Sequence, residues 1–258
     1  MLRRVLLLAL LLGVVHADRD PSSAGAGDPA GARAAAEAFV ARLDGTRVGD
    51  LLVEQTVTLY HPGGRLKTST GDQRLYLKPP GRLRVDRQAE GERDVLLVLG
   101  DRVWMRRPDG RTYEAPPRNA GPAAPAQLPG WQRSAAELLA EWKVLGVNVD
   151  VSHPVMLAGR RVTVIGAGPG ERDRPAVWLD PEYGVVRIVT RERLPQGERL
   201  LDRTLSEHRA IAGLLYLPHR EEWFLDGRLR RLVTVRSVTV NAALPDTLFD
   251  PAALARER

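Results

Sequence analysis

Residues 238–251 read VTVNAALPDTLFDP. Val238 and Val240 flank Thr239 with the two-residue period of a strand. Asn241 follows, Leu244-Pro245-Asp246 makes a turn, and Phe249 stands as an apolar anchor just ahead of Pro251. Two upstream stretches each read as strand, turn, strand: residues 74–86, RLYLKPPGRLRVD, and residues 98–110, VLGDRVWMRRPDG. In the first, Leu75 and Leu77 alternate with Arg74, Tyr76 and Lys78. Pro79-Pro80-Gly81 breaks the run, and Leu83 and Val85 then alternate with Arg82, Arg84 and Asp86. In the second, Val103 and Met105 form a strand that Pro108-Asp109-Gly110-Arg111 closes with strong turn chemistry.

Working outward, strands dominate. Val53, Gln55, Val57 and Leu59 alternate with Glu54, Thr56, Thr58 and Tyr60. Residues 95–99 are a continuous apolar run, consistent with a strand buried on both faces or a short helical segment. Strands are also expected at 162–164, 176–179, 185–190, 200–211, 214–217, 219–225 and 229–240. In the last, Val233 and Val235 have one parity and Val238 and Val240 the other, so a bulge near Arg236-Ser237 is expected. Two helices interrupt the series. Asp28-Pro29 starts one as N-cap and first helical residue, with Phe39, Val40 and Leu43 on one side. The other spans 134–145, with Leu138, Leu139, Trp142 and Leu145 as its apolar stripe and Gly146 at its end. The Pro/Ala/Gly-rich residues 115–130 precede it and carry no regular pattern. The expected fold is mainly β with α: a strongly curved antiparallel sheet, or incomplete β-barrel, covered by helices. Its concave side must be filled by side chains, a helix or a ligand.

The N-terminus reads as an export signal, residues 1–17. Arg3 and Arg4 precede an apolar run over 5–15 and the small-residue site Val15-His16-Ala17. That run is shorter than the roughly 20 residues a spanning helix needs. Residues 18–28 read as a disordered linker. The sequence contains no cysteine, which removes disulfides, thiolate chemistry and a lipid-bearing thiol. The net charge is +6, almost all of the bases being Arg. They alternate with apolar residues along strands, the pattern of a solvated sheet face rather than a nucleic-acid footprint, so no nucleic acid is expected as a partner.

The three quoted stretches, in this order after a leading helix, resemble the periplasmic outer-membrane lipoprotein-sorting family, the LolA/LolB-like carriers. The unit at 71–86, the Gly-Asp-x-x-Trp unit at 100–104, the Trp-Leu-Asp-Pro-x-x-Gly stretch at 178–184 and the Asn-x-x-Leu-Pro-Asp-x-x-Phe tail at 241–249 carry the likeness. The resemblance implies a Lol-type lipid-binding domain over residues 29–251, followed by a tail at 252–258. It implies a non-enzymatic periplasmic protein, cleaved after Ala17, that holds acyl chains of lipids or lipoproteins between an inner-membrane donor and an outer-membrane acceptor. Val57, Leu59, Leu75, Leu77, Leu83, Val85, Val103 and Met105 would line the cavity, and Leu138, Leu139 and Trp142 would form its lid. One position departs from the family, which keeps an Arg immediately before the strand-ending Pro. Pro79 stands there, with Lys78 one residue earlier and on the opposite strand face. The alternative within this fold is a sensor or scaffold of envelope-stress regulation that binds a protein partner.

Other chemistries read weakly. His219 and Glu221 share a strand face, with Glu222 beside them and His208 elsewhere, fewer ligands than a zinc site takes. Ser206-Glu207-His208 has triad residue types without a nucleophile elbow. Asp180 and Asp226 have turn chemistry, and Gly166 to Gly170 lacks the Lys-Ser/Thr of a phosphate loop. Trp104, Trp142, Trp178 and Trp223 could line a cavity or simply pack a core. An enzyme would bring three or more titratable groups together in the cavity, which the apolar strand faces do not suggest. No cofactor is expected.

Overall fold

The computed structural model describes residues 28–115, 133–194 and 197–257. The expected signal, most of the linker and most of the 115–130 stretch lie outside the described residues. Helix α1 (Pro29–Arg42) leads into six strands, β1 (Leu51–Tyr60), β2 (Lys67–Lys78), β3 (Arg82–Ala89), β4 (Glu92–Leu99), β5 (Arg102–Arg106) and β6 (Thr112–Ala115). Helix α2 (Ala135–Val144) precedes seven more: β7 (Ser152–Leu157), β8 (Arg160–Ile165), β9 (Ala176–Asp180), β10 (Gly184–Leu194), β11 (Gly197–Ala212), β12 (Leu215–Leu225) and β13 (Arg228–Val240). A 3₁₀ turn (Asp246–Phe249) and the short helix α3 (Pro251–Arg256) close the chain.

All thirteen strands form one antiparallel sheet, ordered β6-β5-β4-β3-β2-β1-β13-β12-β11-β10-β9-β8-β7. Two meanders, β1 to β6 and β7 to β13, are joined at the centre by β1 and β13, and β6 and β7 remain as edges. The sheet does not close into a barrel. It curves enough that one apolar cluster holds residues from both wings, with Val103 and Ala115 near one edge and Ile165 and Val177 near the other. A flat sheet of thirteen strands spaced about 4.8 Å apart would hold these groups tens of ångströms apart.

The expected bulge sits in β13. Glu54 pairs with Ser237 but Gln55 with Val235, so Arg236 is the extra residue that lets both valine parities be used. The run at 95–99 belongs to β4, buried on both faces: Leu96 and Val98 join the concave cluster, Val95 and Leu97 a second one on the convex side. Three elements differ from expectation. β6 and β7 are edge strands too short or too polar to show a two-residue period. Residues 214–217 and 219–225 are one strand, β12, continuous through Pro218. Its ladder to β13 ends at Arg220, so Pro218 lies beyond the point where that ladder needs an N–H.

The helices cover the concave side. Asp28 caps α1, its side chain accepting from the Gly31 N–H at 3.0 Å. Ala32, Ala36, Phe39 and Leu43 are its buried stripe. Phe39 reaches the backbone of β10 at Gly184, where a Cβ would lie 2.8 Å from the ring and φ is +85°, so only glycine fits. Ser134 and Glu137 form a capping box on α2. Leu138 and Trp142 are buried and Leu139 packs partly against the cluster. Leu145, expected in that stripe, is exposed because it follows the last helical turn as the C-cap.

Candidate functional site

The concave face has two halves, set end to end along the same strands. Near the helices the rows are apolar: Val53 of β1 faces Leu75 of β2, which faces Val85 of β3, which faces Leu96 of β4. One row further the composition changes to Gln55, Gln73, Arg87 and Asp94 on the same four strands. Gln55 donates to Gln73 at 3.0 Å, and Arg87 pairs with Asp94 at 2.6 Å. Alternation decides which face a residue takes, so it cannot announce this change along the strand.

Of the residues expected to hold acyl chains, Leu75, Leu77, Leu83, Val85, Val103, Leu138 and Trp142 meet in the apolar cluster, with Met105 and Leu139 packed against it. Val57 and Leu59 lie apart, in the open half, and Leu59 is 43% exposed. Among the described residues, the hollow between Val53, Gln55, Leu75, Leu77, Glu221 and Val235 amounts to about 20 Å³, about the room one water needs. A groove of about 490 Å³ runs between α1 and α2, past Ala30, Arg33, Leu139, Lys143 and Val149.

The open half carries charged residues that the sequence reading placed on solvated faces. Leu59, Arg231, Trp223 and Arg203 stand opposite one another in a row across β1, β13, β12 and β11. Both guanidiniums lie over the indole, 4.3 Å (Arg203) and 4.8 Å (Arg231) from its centroid. Arg203 donates to Glu221 at 2.9 Å, and both are buried. Arg87, Val57, Leu59, Asp94 and Arg231 line a hollow of about 250 Å³. Arg84 and Arg106 are buried as well, because the C-terminal segment covers the convex face. Reading every Arg as solvated fails wherever the sheet is covered or curved. Titratable groups thus do converge on the concave face, contrary to expectation. Three are guanidiniums, which hold charge and do not exchange protons, and two of them are paired with Asp94 and Glu221.

Parts of three of the signature stretches meet elsewhere, on the convex side. The Gly100 N–H donates to the Gly81 carbonyl at 2.9 Å. Trp104, Leu244, Phe249 and Leu254 pack with Val95 and Leu97. Asp246 accepts from Lys78 at 2.8 Å and Arg82 at 2.7 Å, and its carboxyl is held below the usual range by them. Asn241 accepts from the Gly49 N–H at 2.6 Å, tying the end of β13 to the entrance of β1. Glu257 is pushed up by burial but held low, on balance, by Arg84 and Arg93. Of the motifs that carried the resemblance, Trp104, the turn between Lys78 and Arg82 and the tail therefore form a clasp on the convex side, while Leu75, Leu77, Leu83 and Val85 of the unit at 71–86 lie in the concave cluster and residues 178–184 run from β9 into β10.

The remaining candidates are structural. Asp180 accepts from the N–H groups of Glu182 and Tyr183 and from Arg160, which is turn chemistry. His208 stacks on Tyr183 with centroids 4.9 Å apart, and burial brings its pKa down to about 4. Residues 166–170 lie in the loop from β8 to β9. Trp104 and Trp178 pack in clusters outside the concave one. Among the described residues no group of three or more His, Asp or Glu is placed to hold a metal, and no helix is long and apolar enough to cross a membrane.

The fold has solved counterparts. A proposed outer membrane lipoprotein-sorting protein domain from Vibrio parahaemolyticus superposes with a TM-score of 0.60 at 14% identity, covering 89% of this chain and 100% of that one. A DUF1329 family protein from Desulfovibrio piger gives 0.57 at 13%, over 88% and 99%. A LolA superfamily protein from Nitrosomonas europaea gives 0.50 at 12%, over 83% and 97%. No family model and no curated protein matches the sequence. At these identities the likeness is one of fold: this chain has the curved-sheet architecture of the LolA-like proteins.

Proposed function

We propose that the protein is a non-enzymatic periplasmic carrier that shelters acyl chains of lipids or lipoproteins. In this reading residues 1–17 direct export and are removed after Ala17, and the load passes from an inner-membrane donor to an outer-membrane acceptor. The observation that carries it is the helix-capped apolar half, built from both wings of one curved sheet. Each methylene moved from water into such a site contributes about 0.8 kcal/mol, so a long chain is held without a specific bond. Because Leu138 and Trp142 are buried in that half, a chain enters as α2 withdraws them. The groove beside α1 is the side from which it does so. Native mass spectrometry of protein purified gently from periplasm tests this. A stoichiometric added mass that extracts as acyl lipid is expected, and retention should fall in Trp142→Asp. An apo mass with no uptake of offered lipids or lipopeptides would end the carrier reading.

A second reading, a sensor or scaffold that binds a protein partner, draws on one observation. β7 is an edge strand with Met156 68% exposed, and a partner strand could add there. An apo mass together with cross-links to β7 would favour it.

A further inference from the structure

The apolar rows of β1 to β4 end on one line. Val53, Leu75, Val85 and Leu96 stand in the concave cluster. Two residues further along each strand, Gln55 faces Gln73, Gln73 faces Arg87 and Arg87 faces Asp94. The other wing makes the same change. β12 passes from Leu217 through His219 to Glu221, and β11 from Leu205 to Arg203, all of them buried. These polar groups hold one another. Gln55, 2% exposed, donates to Gln73 at 3.0 Å, and Glu221, 4% exposed, accepts from Arg203 at 2.9 Å.

The small hollow of the apolar half lies against this line. Val53, Leu75, Leu77 and Val235 are among its apolar members, and Gln55 and Glu221 are its two polar side chains. β13 separates those two with valines: Gln55 stands opposite Val235, and Glu221 opposite Val233. Beyond the line the cover ends. Leu59 is exposed there, and Gly71 brings no side chain. A methylene on the apolar side of the line leaves water and adds about fourfold to affinity. One pushed past it meets hydrogen-bonded amides and ion pairs, which lose free energy if their partners are displaced, and then returns to water.

We infer that Gln55 and Glu221, held by Gln73 and Arg203, form the polar end of the acyl cavity and fix the length of chain it accepts. This rests on the carrier reading. From Leu51 to Gln55 the apolar stretch of β1 covers about 13 Å, which is shorter than an extended eighteen-carbon chain. The surplus of a long chain stays outside the cavity and contributes no binding.

Displacement of a fluorescent acyl probe by saturated monoacylglycerols of eight to eighteen carbons tests it. With the wild-type protein, affinity should rise about fourfold per added methylene and then level off within the series. Gln55→Leu with Gln73→Leu removes both partners of one hydrogen bond together, a change that a fold tolerates. It should move the levelling-off point to longer chains and raise affinity for the eighteen-carbon ligand at least about tenfold, the worth of two further methylenes. Gln55→Met, of similar length and volume, should move that point the same way by less. Affinity that climbs through all eighteen carbons in the wild-type protein would overturn the inference. So would one levelling-off point shared by the wild type and both variants, and in either case the carrier reading stands. Failure of every monoacylglycerol to displace the probe would bring down the carrier reading and this one with it.

Discussion

The two halves of the concave face use the same strands and the same alternation, yet they are held in different ways. In the half under α1 and α2, Val53, Leu75, Val85 and Leu96 line up in rows, and cohesion comes from packing. In the open half the next rows carry Gln55, Gln73, Arg87 and Asp94 on one wing and Arg231, Trp223 and Arg203 on the other. There cohesion comes from paired charges and cation–ring contacts. One strand thus serves an apolar region and a polar one within a few residues. The cross-strand neighbours of each residue assign it to a half, and its own parity does not.

Substitutions can break this comparison. The largest effect is expected in the apolar half. Trp142→Ala should lower the unfolding free energy by about 3–5 kcal/mol, read from the urea midpoint, because Trp142 is buried in the apolar cluster and its removal leaves a cavity. A loss under about 1 kcal/mol would mean that α2 is only lightly seated. In the open half, Arg203→Ala leaves Glu221 buried without its guanidinium and should cost about 3–5 kcal/mol. The double change Arg203→Met with Glu221→Leu should recover most of that. Equal losses in the single and double variants would mean that the half depends on packing after all.

Acid sharpens the comparison by acting on neither half. His208 has the opposite strand parity to Arg203, and burial lowers its pKa from the usual 6.5 to about 4. Its neutral form is the one the fold favours, so its contribution is fully present above about pH 6.5. The contribution is lost as pH falls from there towards about 4, by on the order of 3 kcal/mol in all. His208→Phe should flatten denaturation midpoints over that window; an unchanged slope would place the loss elsewhere. The smallest effect is expected at Leu59, exposed at the rim of the open half, where Leu59→Ser should change stability by less than about 0.5 kcal/mol. A larger loss would mean that Leu59 is covered in solution.

Much of the architecture was legible because it follows from local rules. Alternation placed Leu75, Leu77, Leu83 and Val85 together on one face, the parity change in β13 announced the bulge at Arg236, and Asp28 and Ser134 marked the helix starts. β7 was missed because a half-exposed edge strand containing Pro154 lacks a clean period. The candidate site was legible only in part. Val57 has the same parity as Val53 but lies beyond the polar row of Gln55, so a list built on parity includes both. Arg203 and Arg231 gave no signal, since strand Arg residues read alike whether solvated or enclosed, and Trp223 read equally as a cavity or a core residue.

By itself the sequence determined most of the elements: where strands alternate, where Pro and Gly end them, and that a Leu244-Pro245-Asp246 turn and an apolar Phe249 follow the last strand. Those choices rest on backbone geometry and on contacts that recur wherever such turns occur. Only the tertiary structure decided that β1 meets β13, that the sheet curves round α1 and α2, and that one concave face is apolar at one end and carries paired charges at the other. Burial and the local dielectric depend on what strands distant in sequence bring opposite one another, and a single strand read alone carries no record of its neighbours.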